Sequence, residues 1–336
     1  MKRLLTFIAS LALLASCCCG EKAPKTEYVV DCNGKGDYTS LQECLDALPS
    51  KSPVWRTITV KEGEYREKIT IDVYKDKLTI VGEGDVKIVW DDHTGRVLED
   101  GYTMTTYDTW TMSIQADEVH LQNLTIENSA GRVGQAVAVE TRGDRIIIEN
   151  CRMLGNQDTF FTKDYVARIY VKDCYIEGTT DFIFGASTTV FDNCDIHCKV
   201  NSYITAASTA ERTKYGYVFR NCRISCADEV TAMYLGRPWK STAATVWIEC
   251  YMPETIHPAG WHNWGAKDRE ERCYYAEYKC YGPGADRSKR VKWSHELTDE
   301  QVANEYTLDK IFALKVGSEQ YRWPWNGTFN KENTVE

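Results

Sequence analysis

"RIIIENCRM", residues 145–153, decides the fold of this chain because variants of it recur along the sequence. Each variant has an alternating β-branched run, a polar residue, an apolar position and a second short run. The variants are VHLQNLTIE (119–127), RIYVKDCYI (168–176), TTVFDNCDI (188–196), YVFRNCRI (217–224) and ATVWIECYM (244–252). Their apolar positions, Leu124 and then five cysteines, recur roughly every 20 to 28 residues, and repeats of about this length indicate a solenoid.

The repeats carry strand signals. From Val119 to about Met252 the apolar residues alternate or form short β-branched runs, and helical periodicity is missing. We therefore predict an all-β fold, a single-stranded parallel β-helix in which each repeat makes one coil and equivalent residues stack along the axis. Short terminal helices are predicted within residues 39–49 and 295–315.

Cysteine is unusually frequent, with 14 in the chain. The five at the repeat position are Cys151, Cys174, Cys194, Cys222 and Cys250. In stacked coils this position faces inward, where a free thiol packs as a compact hydrophobe. Disulfides, or zinc bound by CDIHC (194–198) and CRISC (222–226), are the alternatives, but no spacing supplies a convincing set of four zinc ligands. We expect no bound metal.

The N-terminus has the pattern of an export signal. Lys2 and Arg3 precede an apolar run, residues 4–14, and "LASC" (14–17) resembles a bacterial lipobox. We expect a lipoprotein signal peptide at 1–16, lipidation of Cys17, a tether at 17–27 and one β domain at 28–336 with a C-terminal covering segment. The mature protein would then be an exported bacterial lipoprotein, periplasmic or anchored at the outer membrane or cell surface. A plain signal peptide cut at another small residue is the alternative.

The formal charge of −9 argues against nucleic acid as a partner. It would also repel a heavily ionised polysaccharide, whereas an esterified, partly neutral polymer would be tolerated better. Ten Trp and twenty Tyr supply rings of the kind that often line ligand grooves.

The repeat also positions acidic side chains. Asp158 follows Cys151 by the same interval as Asp181 follows Cys174, so the two acids should stack one strand spacing apart, about 4.8 Å. Counting backward, Gln135 precedes Cys151 by the same interval as Asp158 precedes Cys174. The count therefore predicts one column of Gln135, Asp158 and Asp181, with Gln157 beside it.

Two stacked carboxyl groups have pKa values that are pushed apart, which can give a proton donor and a nucleophile at one pH. Amide donors from Gln135 and Gln157 could stabilise a developing oxyanion, so the set suits attack on an ester carbonyl. A retaining glycosidase, which also needs paired acids, is the competing enzyme, and backbone capping is the structural alternative for a single Asp. "YLGRPWK" (234–240) adds Arg237, a bidentate cation, and Trp239, a surface for stacking on sugar.

Five ordered motifs make the chain similar to pectin methylesterases. They are GEYRE (63–67), GQAVAV (134–139), GNQDTFF (155–161), GTTDFIFG (178–185) and YLGRPW (234–239). The resemblance implies a right-handed parallel β-helix and a cofactor-independent esterase that acts on methyl-esterified galacturonate. It also implies a pectin (homogalacturonan) partner, and we expect a monomer. Thr180, and Phe160 with Phe161, depart from the usual motifs, which affects subsite shape.

The resemblance also implies roles for individual residues. Asp181 would be the nucleophile, Asp158 the general acid and base, and Gln157 the oxyanion stabiliser, helped by Gln135. The residues implied to contact substrate are Arg237, Trp239, Thr106, Gln135 and Phe182. A β-helix enzyme that cleaves the pectin chain, either a polygalacturonase or a pectate lyase, is one alternative, and a non-catalytic polysaccharide-binding lipoprotein is another.

Overall fold

A computed structural model describes residues 24–316 and 319–321 of the protein. The expected signal peptide, Cys17 and most of the expected tether lie outside the described residues. Within them the chain winds into coils of three short strands, each strand pairing in parallel with its equivalent in the next coil. The prediction of an all-β, single-stranded parallel β-helix is confirmed.

The strands form three faces. The N-terminal strands are β1 Glu27–Val30, β2 Arg56–Tyr65, β3 Ile69–Ile71 and β4 Leu78–Trp90. The first face contains β6 Val119–Gln122, β9 Ile146–Glu149, β12 Arg168–Lys172, β15 Thr188–Asp192, β18 Tyr217–Arg220, β21 Ala244–Ile248, β22 Tyr274–Tyr278 and β23 His295–Glu296. The second contains β7 Thr125–Asn128, β10 Arg152–Leu154, β13 Tyr175–Gly178, β16 Asp195–Cys198 and β19 Arg223–Cys226. The third continues from β3 through β5 Met112–Ile114, β8 Val139–Thr141, β11 Phe160–Thr162, β14 Ile183–Gly185, β17 Tyr203–Ala207 and β20 Tyr234–Pro238.

The length of each coil matches the spacing of the repeat. His120 pairs with Ile147, the same interval that separates Leu124 from Cys151. Ile146 pairs with Ile169, the same interval that separates Cys151 from Cys174. The pairings along the next three coils likewise equal the intervals between successive repeat cysteines. The recurring apolar position therefore marks one point on successive coils, as predicted.

The polar residue before each repeat cysteine makes the turn between the first two faces. These residues, and Asn123 before Leu124, have left-handed backbone conformations, with φ between 49° and 57° for Asn123, Asn150, Asp173, Asn193, Asn221 and Glu249. Asn and Asp adopt this conformation more readily than other non-glycine residues. The side chains also bond along the axis, since Asn150 Nδ2 donates to Asn123 Oδ1 at 2.8 Å. Each turn therefore directs the following cysteine into the core.

All five repeat cysteines are buried, and the eleven cysteines in the described part of the chain are free thiols. The five repeat cysteines pack in the main core with β-branched residues from all three faces. The thiols also donate to backbone carbonyls, as Cys174 Sγ does to Lys172 O at 3.2 Å. The interpretation of these cysteines as inward packing residues is confirmed.

Short helices lie in both predicted segments, near the start and the end of the β-helix. Helix α1, Leu41–Ala47, begins at Ser40, whose hydroxyl accepts from the Glu43 amide, and it buries Leu41 and Leu45. The other helices are α2 Asp268–Arg272, α3 Asp299–Glu305 and α4 Leu308–Ile311. Residues of the α3 and α4 region cover apolar side chains on the outside of the first face. Strands β24 Leu314–Val316 and β25 Glu319–Tyr321 then pair antiparallel.

Candidate active site

The two predicted acids lie at the start of adjacent strands on the third face. Phe160 of β11 pairs with Ile183 of β14, so the same register puts Asp158 beside Asp181. Both aspartates have left-handed backbones, with φ of 68° and 51°. The Asp158 amide donates to Thr180 O, and the Asp181 amide donates to Tyr203 O at 2.8 Å. Equivalent turns in successive coils therefore bring the two carboxyl groups together.

Gln135 does not continue this column, so the sequence count was wrong at this coil. Gln135 pairs with Gln157, the residue before Asp158, and the Ala136 amide donates to Gln157 O. Further along the same coil, Val139 of β8 pairs with Phe160 of β11, so the offset between the coils is one residue longer at the glutamines than at these strands. The count from the cysteine failed because the stretch from Val139 to Cys151 is two residues shorter than the equivalent stretch from Phe160 to Cys174, and a fixed interval cannot detect that difference. The two glutamines consequently form their own pair next to the acids.

Arg237 binds Asp181 through both carboxylate oxygens. Its Nε donates to Oδ1 at 2.9 Å and its Nη2 donates to Oδ2 at 2.6 Å. The guanidinium lies between two aromatic rings, 3.9 Å from the centroid of Tyr203 and 3.7 Å from that of Trp264. This contact leaves the planar cation few alternative positions. Tyr203 and Trp264 were missed in the sequence, because they come from outside the acid motifs and no spacing links them to Arg237.

Burial and nearby charges shift the pKa values of Asp158 and Asp181 to different extents. Asp158 is only 8% exposed, and burial together with the nearby Asp181 carboxylate raises the pKa of Asp158 well above its usual range. Burial also raises the pKa of Asp181, which is 5% exposed, but the hydrogen bonds and charge of Arg237 oppose that rise. A proton shared by such a pair is therefore more stable on Asp158 than on Asp181.

The side-chain amides of Gln135 and Gln157 are partly exposed beside the acids. Neither amide donates a hydrogen bond to any other residue that the structure describes, so both retain donors for a ligand. Neutral donors next to a protonated acid and a fixed carboxylate match the needs of ester hydrolysis, in which negative charge develops on the carbonyl oxygen.

Comparison with known proteins identifies the family. A family model, Pectinesterase, matches residues 27–314. Pectinesterase 31 of Arabidopsis thaliana is 36% identical over 280 residues, which cover 81% of this chain and 88% of that protein. The chain belongs to the pectinesterase family.

Solved pectin methylesterases share the fold over nearly their whole length. The carrot enzyme superposes with a TM-score of 0.78 at 28% identity, covering 87% of this chain and 94% of that one. A pectin methylesterase in complex with a hexasaccharide gives a TM-score of 0.74 at 29% identity, covering 86% of this chain and 97% of that one. These enzymes are right-handed parallel β-helices, and the protein described here is an esterase with the same architecture.

A line of aromatic side chains lies along the outside of the third face of this pectinesterase, where Phe161 and Phe184 are 3% and 4% exposed and Tyr107 is 46% exposed. Phe161 and Phe184 occupy paired positions on β11 and β14, and their rings stack 4.3 Å apart. Trp239 lies 6.0 Å from Phe184, and Tyr107 lies 5.8 Å from Phe161. We call these four residues the aromatic stripe. Trp239, expected from its motif, is thus part of a longer apolar surface beside the acids.

Phe182 does not belong to this surface, and the expectation that it contacts substrate was wrong. Its side chain is 0% exposed and packs in the main core. After the left-handed turn at Asp181, Phe182 and Ile183 both point inward, and Phe184 is the residue that faces out. The pairing of Phe161 with Phe184 gives the same assignment. That pair could have been found in the sequence, because it has the same interval as Cys151 and Cys174.

Thr106 lies in a single 3-10 turn, Thr106–Asp108, on a loop that approaches the glutamine pair. Its hydroxyl is 3.2 Å from that of Thr94, whose backbone amide donates to Gln135 O. Thr106 is partly exposed at this position. The structure therefore brings Thr106 close to Gln135, with Thr94 between them.

Within residues 24–316 and 319–321, no cluster of three or more His, Cys, Asp or Glu side chains has the arrangement of a metal site. The same residues contain no helix long and apolar enough to cross a membrane.

Proposed function

We propose that this pectinesterase hydrolyses methyl esters of galacturonate in pectin through a covalent intermediate on Asp181. The bidentate contact with Arg237 carries the proposal, because it keeps the Asp181 carboxylate ionised and fixed while Asp158 retains a proton. The relatives are esterases of this substrate class, which favours the esterase over an enzyme that cleaves the polymer backbone. It likewise favours the esterase over a non-catalytic binding protein.

The first half of the reaction forms an acyl-enzyme. A carboxylate oxygen of Asp181 attacks the ester carbonyl carbon, and the carbonyl π electrons move onto its oxygen. Amide N–H groups of Gln157 and Gln135 donate to that oxyanion. When the tetrahedral intermediate collapses, the bond to the methoxy oxygen breaks and Asp158 donates its proton, so methanol leaves.

The second half returns both acids to their starting states. Asp158, now ionised, removes a proton from water as the water oxygen attacks the acyl carbon. The bond to Asp181 breaks, Asp181 leaves as a carboxylate, and the product is a galacturonic acid group. Arg237 is positioned to stabilise Asp181 as it leaves, and Trp239 and Tyr107, the accessible members of the aromatic stripe, offer rings on which sugars can stack.

The experiment is to measure methanol released from highly esterified pectin by the purified protein and by two Asp-to-Asn variants. Asp181→Asn should lower kcat by at least about four orders of magnitude, as expected for loss of a nucleophile. Asp158→Asn should lower it by about 10²–10⁴.

Asp195→Asn is the matched control, because Asp195 is exposed on β16 of another face and should keep the wild-type rate. New reducing ends or unsaturated products without methanol would replace the esterase assignment with chain cleavage. A near-native rate in Asp181→Asn would assign the nucleophile elsewhere.

We also propose a signal peptide at 1–16, lipidation of Cys17, a tether to residue 27 and an exported, monomeric domain; the basic start, the apolar run at 4–14 and the LASC pattern support the signal peptide and the lipidation. Mass spectrometry of the mature N-terminal peptide from a bacterial host tests this. A diacylglyceryl mass on Cys17, lost together with membrane association in Cys17→Ala, supports the anchor. An unmodified N-terminus at another residue would replace it with a plain signal peptide.

A further inference from the structure

An apolar surface is exposed at the N-terminal end of the β-helix, on the two loops that precede β2 and β4. Val54, in the loop 49–55, is 37% exposed, and Val73 and Tyr74, in the loop 72–77, are 54% and 50% exposed. Pro53, next to Val54, is exposed as well. Exposed apolar side chains that gather at one place mark a site of interaction.

The two loops contact each other, so their apolar side chains form one surface. The Lys51 amide donates to Tyr74 O at 2.8 Å, and Lys77 Nζ donates to Pro53 O at 3.4 Å. The Asp72 side chain accepts from the Tyr74 amide at 3.0 Å, which makes a tight turn with Val73 at its tip. We define the N-terminal apolar surface as Pro53, Val54, Val73 and Tyr74.

Lysines border the N-terminal apolar surface. Lys51 is exposed, and its Nζ lies 5.2 Å from the ring centroid of Tyr74, while Lys77 is partly exposed. The loops 49–55 and 72–77 together contain three lysines and two aspartates, a formal charge of +1 in a chain whose formal charge is −9. Apolar and aromatic side chains beside accessible lysines match the headgroup region of a bilayer that contains anionic lipid.

The start of the described chain lies beside this surface. Glu27 of β1 pairs in parallel with Thr57 of β2, and the Thr57 amide donates to Thr26 O at 2.8 Å. Because the two strands run in the same direction, the segment before Glu27 and the loop before Thr57 approach the domain side by side. Pro24 and Val54 each lie three residues before a member of this pair. The proposed tether therefore leaves the domain next to the N-terminal apolar surface.

The proposed tether is also short. Only residues 18–23 separate Cys17 from Pro24, the first described residue. An extended chain spans at most about 3.6 Å per residue, so Cys17 and Pro24 are no more than about 25 Å apart. With acyl chains on Cys17 in the bilayer, the loops beside Pro24 are held near the lipid. A contact that is weak for a free protein is then made within one anchored molecule, which favours it.

We propose that the N-terminal apolar surface lies in the headgroup region of the membrane to which Cys17 is anchored. This inference rests on the proposed lipidation of Cys17 and goes beyond it, since an anchor alone leaves the orientation of the domain free. On the third face, β3 is followed by β5, β8 and β11. Asp158 therefore lies three coils, roughly 14 Å along the axis, from the loop that follows β3. The contact keeps the catalytic cleft close to the bilayer and limits rotation of the domain about its tether.

The test is hydrogen exchange, read by mass spectrometry, on the full lipidated protein bound to vesicles of phosphatidylethanolamine and phosphatidylglycerol. The reference is Cys17→Ala with the same vesicles, because that variant lacks the anchor. Amides of the loops 49–55 and 72–77 should exchange at least about threefold more slowly in the lipidated protein, since a contact present most of the time excludes water. Residues 281–289, near the other end of the β-helix, should exchange equally in the two proteins.

Two further variants complete the test. Val73→Asp places a negative charge in the N-terminal apolar surface, so both loops should exchange as fast as in Cys17→Ala while the protein stays bound to the vesicles through its lipid. Val133→Asp is the matched control, because Val133 is 51% exposed on the loop before Gln135 and the substitution adds the same charge. It should keep the slow exchange of the wild type. Both variants should keep the wild-type melting temperature, since both side chains are exposed.

Equal exchange of the two loops in Cys17→Ala and in the lipidated protein on vesicles would overturn the membrane contact and leave the anchor in place. Fast exchange in Val133→Asp as well as in Val73→Asp would also overturn it, because protection would then follow the charge of the whole protein. A wild-type protein that carries no lipid on Cys17 and does not sediment with the vesicles would overturn the anchor, and this inference with it.

Discussion

Arg237 holds Asp181 through two parallel hydrogen bonds, while Asp158, one coil away, has no such partner among the described residues. The two aspartates share the same turn geometry and similar burial, so backbone and solvent exposure do not distinguish them. The guanidinium does, because it stabilises negative charge on one carboxyl group only. A repeated structural unit thereby acquires two different chemical roles from a single side chain that comes from β20.

Arg237→Lys should lower kcat about tenfold to a hundredfold, although it preserves the positive charge. A lysine ammonium cannot make both hydrogen bonds in one plane or fill the space between Tyr203 and Trp264. Steady-state kinetics on esterified pectin measure the effect. Arg152→Lys, which changes an exposed arginine on β10, is the control and should leave kcat unchanged. Wild-type kcat in Arg237→Lys would mean that charge alone suffices.

The two acids should limit activity at opposite ends of the pH range. Asp158 must be protonated to release methanol, so activity should fall as pH rises through its pKa. Burial and Asp181 raise that pKa, which places the alkaline limb above the usual range of an aspartate. Asp181 must be ionised to attack, so activity should also fall as pH drops through its own pKa.

The measurement is kcat/KM from about pH 4 to about pH 9, with protein stability checked at each pH. The apparent values belong to the coupled pair. A profile that stays flat on the alkaline side would contradict the assignment of Asp158 as the general acid.

The fold could be predicted because one side chain per coil is under a strict packing constraint. Each repeat cysteine occupies the same inward position, and so its spacing equals the length of the coil. The stacking of Asp158 with Asp181 followed from the same count. Such a count depends on connecting segments of equal length, and it failed at Gln135 because the stretch from Val139 to Cys151 is two residues shorter than the equivalent stretch from Phe160 to Cys174.

The rest of the site depends on contacts between distant parts of the chain. Trp264 reaches Arg237 from a loop beyond the last repeat, and Lys163 is next to Tyr107 only because two loops meet over the third face. The spacing of residues in the sequence does not predict contacts between segments that are distant in the chain. Phe182 and Phe184 show a related limit, since a left-handed residue shifts the alternation of the strand that follows it.

Phe182→Ala and Phe184→Ala should differ in their effect on substrate binding, although only one residue lies between the two positions. Phe182 is in the main core, so its truncation should lower the free energy of unfolding by about 3–5 kcal/mol. Phe184 is 4% exposed and packs against Phe161 and Trp239 on the outside of the third face, so its truncation should cost a similar free energy of unfolding and, in addition, raise KM for pectin. Denaturant unfolding and pectin kinetics measure the two effects. A raised KM with native stability in Phe182→Ala would show that Phe182 contacts substrate after all.

The cysteine column should be inert to thiol reagents in the folded protein. Cys32 is exposed, and Cys226 and Cys280 are partly buried, while the other eight described thiols are buried. Burial raises the pKa of Cys151, Cys194 and Cys250, so these groups lack both access and thiolate character. Hydrogen bonds involving Cys194 and Cys250 outweigh the effect of burial at Cys222 and lower its pKa to about 5, so there the lack of access alone protects the thiol.

A short pulse of iodoacetamide followed by peptide mapping should therefore modify Cys32 first, Cys226 and Cys280 more slowly, and the column only after denaturant is added. Cys32→Ser should remove the fast reaction without exposing any other site. Modification of Cys194 as fast as that of Cys32 would show that the coils open readily, since a reagent can reach that interior position only when neighbouring strands separate.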